Sequence, residues 1–364
     1  MAKSMVPGPT HARLNIPAAS FSHRHSPPSF CMSLTNRAFL QSCLQHTARW
    51  TFTLSVLAAV TYAAFIAVRF HHLDTRVYAW VNTWKKPAAT VTGAQGRALE
   101  NYTLQAGTLQ IAGVRRNLSG LAFDTDNQQL VAVVNRPATL LRLSLGGELL
   151  SSHPLQHAAD VEGVAYLGQG RIALLEEGRS RVLFAQLPEA KDSPLDLQAA
   201  FALQLSLSAP EKAGVATGNQ GFEGLGYDAR RDYLYVAKEH SPRALYRISG
   251  IAQQDDSRAA NSISIENLSH WVESDSIVGT DLSSVEVDPT TGHLLLLSDE
   301  SQSLVELDQN GGFVGRVALS SWRDKNASIP QAEGIAIDPH GVIYIVSEPN
   351  LFYRLQPQQA HARR

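Results

Sequence analysis

Cysteine is nearly absent from this 364-residue chain, and both copies, Cys31 and Cys43, fall near the N-terminus. No disulfide can staple anything beyond residue 43, and cysteine usage leaves the redox compartment open. Acidic residues are missing from positions 1–49. The signatures of common catalytic classes are missing too: there is no Gly-x-Ser-x-Gly elbow, no His-Glu-x-x-His pair and no phosphate-binding loop. A long uncharged apolar run occurs once, from Trp50 to Val68. Net charge is only −2, but residues 1–100 hold ten Lys/Arg against two Asp/Glu, and residues 101–364 hold 21 against 31. A folded portion with that acidic excess lacks the basic footprint of a nucleic-acid binder, so no nucleic-acid partner is expected. A cation or a neutral ligand suits it better.

What is present is a phrase used five times. Its openings are Leu118-Ser119-Gly120-Leu121, Val161-Glu162-Gly163-Val164, Phe222-Glu223-Gly224-Leu225, Leu282-Ser283-Ser284-Val285 and Ala332-Glu333-Gly334-Ile335. Successive openings are 43, 61, 60 and 50 residues apart. Each leads to a turn, clearest at Asp288-Pro289-Thr290-Thr291-Gly292 and Asp338-Pro339-His340-Gly341, where Pro presets φ and Gly permits a positive one. A short apolar run follows, such as Leu294 to Leu297 or Ile343 to Val346, as expected of a strand buried on both faces. Each run then reaches a polar residue: Asn135, Glu177, Glu239, Asp299 and Glu348, at 14 or 15 residues from the opening Gly or Ser.

Periods near this length, filled with short strands, mark the blades of a β-propeller. The fold class read from the sequence is all-β, a five-bladed β-propeller over residues 101–357, preceded by an N-terminal transmembrane helix. Residues 102–111 form an orphan strand upstream of the first repeat. Pairing it into the last blade would close the ring and hide its edges. The longer spacings imply insertions at Ser208 to Gln220, Gly250 to Ser264 and Ser274 to Thr280, and loops on a rigid scaffold are where binding concentrates.

The remaining divisions are a basic, mostly disordered leader (1–49), an anchor (50–68), a juxtamembrane segment and linker (69–100) and a short tail (358–364). As a helix, Trp50–Val68 would cover about 28 Å, close to the hydrocarbon thickness of a bilayer. A cleaved signal peptide usually has a shorter apolar core, and a buried soluble helix fits poorly beside an all-β repeat. Tyr78, Trp80 and Trp84 would form an interfacial aromatic cluster. The balance of Lys and Arg leans slightly toward a cytoplasmic N-terminus.

Two columns of side chains carry the functional reading. Ser119, Glu162, Glu223, Ser283 and Glu333 begin the innermost strands, where five blades converge. Asn135, Glu177, Glu239, Asp299 and Glu348 end the neighbouring strands, and are expected near the other end of the blade or on its rim. Three glutamates on one axis repel one another, and burial raises their pKa further. A hard divalent cation would remove that conflict, with Glu162, Glu223 and Glu333 as ligands and the second column as a possible second ring. Neither Cys nor His shares the first column, so zinc and copper match poorly. Alternatively, these acids cap backbone N–H groups and hold no metal.

The segments Asn117-Leu-Ser-Gly-Leu, Gly221-Phe-Glu-Gly-Leu, Asp281-Leu-Ser-Ser-Val and Ile345-Val-Ser-Glu-Pro-Asn-Leu-Phe-Tyr-Arg354 resemble the SdiA-regulated bacterial family, whose members are similar to NHL-repeat proteins. The resemblance covers about residues 100–356. It implies a five-bladed propeller on the periplasmic side of the inner membrane, with bound Ca²⁺. It implies no settled activity. Ser284 departs from the Gly usual at that place, so blade four is expected to open differently.

Three functions fit these residues. The first is a membrane-anchored periplasmic sensor or scaffold that binds calcium and an unknown small molecule or protein at the propeller face. The second is a metal-dependent hydrolase of phosphodiester or lactone type, with its site at the channel and His240 as acid/base. The third is a protein-interaction platform built on the inter-blade loops.

Overall fold

The computed structural model describes residues 35–71, 96–105, 109–205, 221–240, 242–251, 263–274, 277–320 and 328–357. The chain divides into two compact units, Met1–Phe65 and Ile66–Arg364. A single helix, α1 (Thr35–His71), accounts for what is described before residue 72. It begins well upstream of Trp50, so residues 35–49, expected to belong to an unstructured leader, are helical. Ala, Leu, Gln and Arg in that stretch are good helix formers, which a reading based on charge alone overlooks. Within α1, Leu44–Ile66 is long and apolar enough to cross a membrane, and none of its most apolar window is buried in the protein. The Tyr78, Trp80 and Trp84 cluster and most of the expected insertions lie outside the described residues.

The remainder is β-structure. Strands β1 (Tyr102–Leu104) and β2 (Leu109–Gln110) come first. Blade one contains β3 (Leu118–Asp124), β4 (Gln129–Val134), β5 (Thr139–Leu143) and β6 (Leu149–Gln156). Blade two contains β7 (Val161–Gly168), β8 (Arg171–Glu176), β9 (Arg181–Gln186) and, after β10 (Leu195–Asp196), β11 (Phe201–Gln204). β10 crosses back to lie parallel on β6. Blade three is β12 (Phe222–Asp228), β13 (Tyr233–Lys238), β14 (Ala244–Ser249) and β15 (Ser264–Asn267). Blade four is β16 (Ser284–Val287), β17 (Leu294–Ser298), β18 (Ser303–Leu307) and β19 (Phe313–Ala318). Blade five is β20 (Ala332–Ile337), β21 (Ile343–Ser347) and β22 (Leu351–Pro357).

Both β1 and β2 pair antiparallel with β22, Thr103 opposite Gln356 and Leu109 opposite Phe352. The start of the domain therefore supplies the outer edge of its last blade, and the ring is clasped between its two ends. The innermost strands β3, β7, β12, β16 and β20 each touch the next around the axis, β20 returning to β3.

Five apolar cores fill the gaps between neighbouring blades. The one between blades four and five holds Leu295, Leu297, Leu304, Ile335, Ile343, Ile345 and Tyr353. The second strands β4, β8, β13, β17 and β21 are buried over nearly their whole length, because each is flanked by two such cores. Around the axis the limiting contact is backbone against backbone. A Cβ at Gly120 would lie 2.8 Å from the Glu162 carbonyl oxygen, and one at Gly224 would lie 2.7 Å from the Val285 nitrogen. The repeated glycine is thus set by the close approach of inner strands. Blade four reaches a similar opening without it: Ser284 pairs with Leu297, and the Ser283 N–H also reaches the Leu297 carbonyl at 3.0 Å.

The turns at the far ends of the inner strands are closed by buried aspartates. Asp124, Asp228, Asp288 and Asp338 all accept backbone N–H groups of their own turn. Asp288 also receives the Arg97 guanidinium at 2.5 and 2.7 Å, while the Arg97 N–H lies 2.9 and 3.1 Å from the two Glu306 carboxylate oxygens. Leu99 follows, fully buried in the core between blades four and five. Arg97 and Leu99 therefore already belong to the propeller, a few residues before the expected boundary at 101.

Two outcomes follow from this packing. Gly120→Ala should destabilise the domain by about 1–3 kcal/mol, the usual cost of forcing atoms into a filled site, seen as a lower denaturant midpoint with an unchanged slope. Deleting residues 102–110 should lower the melting temperature of the whole ring rather than fray one edge, because it removes the clasp.

Candidate functional site

The first-column residues sit at the end of the ring where the inner strands begin. Two of them act as stitches between blades. The Ser119 hydroxyl lies 2.8 Å from both the Glu162 carbonyl and a Glu162 carboxylate oxygen, and the Ser283 hydroxyl donates to the Ala332 carbonyl at 2.8 Å. Each joins its blade to the next. The glutamates behave differently. Glu162 accepts from Ser119 and, at 2.8 Å, from the Asn135 amide. Among the described residues, Glu223 and Glu333 make no hydrogen bond.

The second column lies at this same end, not at the far end of the blade. An antiparallel hairpin sets the start of one strand against the finish of its partner: Val161 faces Glu176, Phe222 faces Lys238 and Ala332 faces Ser347. The expectation of opposite ends neglected this. A further device pins the second column in place. Two residues before the acid or serine of the opening, Asn117, Asp160, Gly221 and Gln331 all adopt positive φ. Their carbonyls accept the N–H of Asn135, Glu177, Glu239 and Glu348 at 3.1, 3.0, 2.6 and 3.0 Å. In blade four the side chain of Asp281 does the same work, taking the Asp299 N–H at 2.8 Å and the Ser298 hydroxyl. Burial pushes the Asp281 carboxyl up to about 6.

One mouth of the channel therefore collects both columns. Glu223 records the result: burial first, then Glu162, Glu177, Glu239 and Glu333, push its carboxyl up to about 11. Glu333 rises well above the ordinary value through burial, with Asp299, Glu239, Glu348 and Glu162 adding to it. Burial raises Glu162 as well, opposed by its hydrogen bonds from Ser119 and Asn135. Glu348 is raised by burial and eased by Arg116.

Sequence reasoning missed Asp160 as a member of the cluster. It joins Glu162 and Glu177 in a trio in which one carboxylate oxygen from each residue lies within 4.8 Å of the others. Arg136 pairs with Asp160 at 2.7 Å from a largely exposed position. The available signal was the polar residue directly ahead of four of the openings, two places before the acid or serine. Beside the trio, the Asn135 Oδ1 is buried and makes no hydrogen bond.

This donor set fits a hard cation. Calcium–oxygen bonds of roughly 2.3–2.6 Å allow ligand oxygens up to about 5 Å apart across the ion, and the trio falls inside that limit. The orphaned amide oxygen of Asn135 is a ligand type that calcium accepts. His240 is not poised as a general base. Its Nδ1 lies 2.8 Å from Glu239 and its Nε2 3.4 Å from Glu300, and hydrogen bonds to the two carboxylates push it up to about 10. A base working near neutral pH needs a pKa close to that pH.

The sign of the pH dependence follows. Carboxyls raised in the folded state bind more protons there than in the unfolded chain, so stability falls as pH rises above the ordinary glutamate range. After exhaustive chelation the domain should melt at a higher temperature at pH 5.5 than at pH 8.5. Flat melting across that range, followed by circular dichroism, would contradict the electrostatic picture.

Comparison with solved structures finds distant likenesses. A luciferin-regenerating enzyme is 13% identical over 69% of this chain and 95% of its own, with a TM-score of 0.44. A gluconolactonase from Xanthomonas campestris is 14% identical over 72% and 93%, with a TM-score of 0.41. A chain of a nidogen–laminin complex is 14% identical over 64% and 73%, with a TM-score of 0.40. Neither identity nor superposition is high enough to carry an activity across. The sequence profile of the SdiA-regulated family, by contrast, matches residues 94–356, from just before the Arg97 latch to the end of the last strand, and the chain belongs to the SdiA-regulated family.

Proposed function

We propose that this protein is a membrane-anchored, calcium-binding propeller that serves as a sensor or scaffold, with Ca²⁺ held at the acidic mouth. The observation that carries the reading is the trio Asp160, Glu162 and Glu177, one ligand oxygen from each lying within 4.8 Å of the others, with the half-buried Glu223 and Glu333 raised by the like charges of the same mouth. Such groups are costly to bury without a counter-charge. Asp160, Glu162 and Glu177 would hold the ion with the Asn135 carbonyl, and Glu223 and Glu333, the other ligands expected from the sequence, would stand beside it in the same mouth. The remaining second-column acids, Glu239, Asp299 and Glu348, would contribute to the surrounding field. Bound calcium would supply positive charge and vacant coordination positions for an oxygen-bearing ligand. The residues themselves would orient that ligand through the mouth.

The anchor would be α1 through Trp50–Val68, with the propeller on the periplasmic side of a bacterial inner membrane. The apolar, unburied character of Leu44–Ile66 supports the anchor. The slight excess of basic residues before it supports the orientation.

Chelation should lower the melting temperature and added calcium should restore it, because a ligand bound only by the native state stabilises that state. Glu223→Gln should blunt the response to calcium. Unchanged melting after exhaustive chelation, with no cation detected in the purified protein, would remove calcium from the proposal. Turnover of phosphodiester or lactone substrates by the calcium-loaded protein would replace the sensor reading with the hydrolase. Reporter fusions after residue 100 check the orientation: a cytoplasm-only reporter should be inactive there.

A further inference from the structure

The opposite mouth of the ring has chemistry of its own. There the inner strands end, and a cavity of about 120 Å³ opens between Phe123, Tyr166, Tyr227, Glu286, Val287 and Ile337, so that all five inner strands contribute. The repeat explains why space remains. Three residues past the opening acid or serine, the copies carry Ala122, Ala165, Gly226 and Ala336. Blade four carries Glu286 at that place. Four copies carry a small residue at this position, and only blade four sets a carboxyl there, against the cavity.

Glu286 is only 9% exposed. Among the described residues its one hydrogen bond is from the Val287 N–H to Oε1, at 2.7 Å, and Oε2 makes none. Across the sheet it pairs with Leu295, which offers nothing polar. The other charged groups at this end are provided for. Asp288 holds Arg97, Asp228 holds Arg231 at 2.6 Å, and Arg230 donates to the Thr290 carbonyl. The phenol of Tyr166 donates to Asp126 at 2.6 Å, and that of Tyr227 donates to Asp232 at 2.9 Å. With both hydroxyls tied up, the tyrosines offer the cavity mainly ring surface.

We propose that this cavity is a second binding site, for a small primary ammonium ion that pairs with Glu286 against the aromatic rings of Phe123, Tyr166 and Tyr227. A carboxylate gives such a cation a charge-assisted hydrogen bond, and aromatic faces attract it further. A metal ion is a poor match, since calcium wants about six oxygen ligands and, of the two carboxylates lining the cavity, Asp228 is already held by Arg231 and by its own turn. Size limits the ligand: a cavity of about 150 Å³ admits benzene, so this one takes roughly four to six non-hydrogen atoms. The site does not depend on the calcium reading. The acids of the other mouth are not among the influences on Glu286, whose neighbouring charge is Asp288.

Stability points the same way. A buried carboxyl with an unused oxygen costs the fold free energy, and four of the five blades do without one. Burial, with Asp288 adding to it, pushes Glu286 up to about 8. Pairing with an ammonium ion needs the carboxylate, so binding must release a proton. Apparent affinity should therefore rise about tenfold per pH unit below about 8 and level off above it.

The test uses the full chain in detergent micelles, titrated calorimetrically with n-butylammonium, 1-butanol and butyrate. Butylammonium should bind at least about tenfold more tightly than butanol, and butyrate should not bind. Glu286→Gln and Glu286→Met should each weaken butylammonium binding at least about tenfold while melting at or above the wild-type temperature. Glu223→Gln, at the other mouth, should leave that binding in place. Four results would each overturn the proposal: no butylammonium binding to the wild type, equal binding by Glu286→Gln, butanol binding as tightly as butylammonium, or failure of both Glu286 variants to fold.

Discussion

Five backbones meeting around one axis is the constraint on which the rest of this structure depends. At each opening, one inner strand lies so close to the next that a Cβ would strike main-chain atoms at Gly120, Gly163 and Gly224. Side chains just before those positions have no lateral room and face the channel. The convergence that closes the ring is therefore also what gathers the acids. A looser ring would separate them and dissolve the conflict among their charges.

That conflict is uneven. Ser119 and Ser283 spend their hydroxyls on the neighbouring blade, and so convert channel positions into seams. Glu162 is partly satisfied by two neutral donors. Glu223 and Glu333 receive only repulsion and desolvation. A cluster held purely for structure would be expected to distribute donors among its acids, as the turn aspartates at the other end do. Asp124, Asp228, Asp288 and Asp338 are more deeply buried than Glu223 and Glu333, and each is supplied with N–H groups. The contrast between the two ends, within one repeat, separates acids that close turns from acids left among like charges.

The fold was legible because its determinants are local and repeated. The opening, the Asp-containing turn and the apolar run recur at near-constant internal spacing, and the orphan strand at 102–111 had only one blade short of an edge. The two columns were legible as lists, but their relative placement was not obtained, because the second column was assigned to the other end of a hairpin that returns it to the first. Asp160 was missed since its role depends on a positive-φ backbone directly ahead of the opening, and Asn, Asp, Gly and Gln at that place share a conformation more than a chemistry. The start of α1 was missed because helix propensity at 35–49 was outweighed by its basic, Ser-rich surroundings.

Blade four is where the repeat is most often broken. It has Ser284 for glycine, it secures its second-column acid with the Asp281 side chain instead of a backbone carbonyl, and it alone carries a carboxylate, Glu286, three residues past the opening acid or serine. The first two departures are linked. Once a Cβ stands at the opening, the strand pairs from Ser284 onward, and a longer side chain can reach the loop that the backbone reaches elsewhere. Glu286 has no such compensation. Gly226 of the neighbouring strand approaches its backbone so closely that a Cβ there would sit 2.9 Å from the Glu286 Cα. Four copies show that the ring closes without a carboxyl at this position. The carboxyl in blade four is therefore not something that closure of the ring requires.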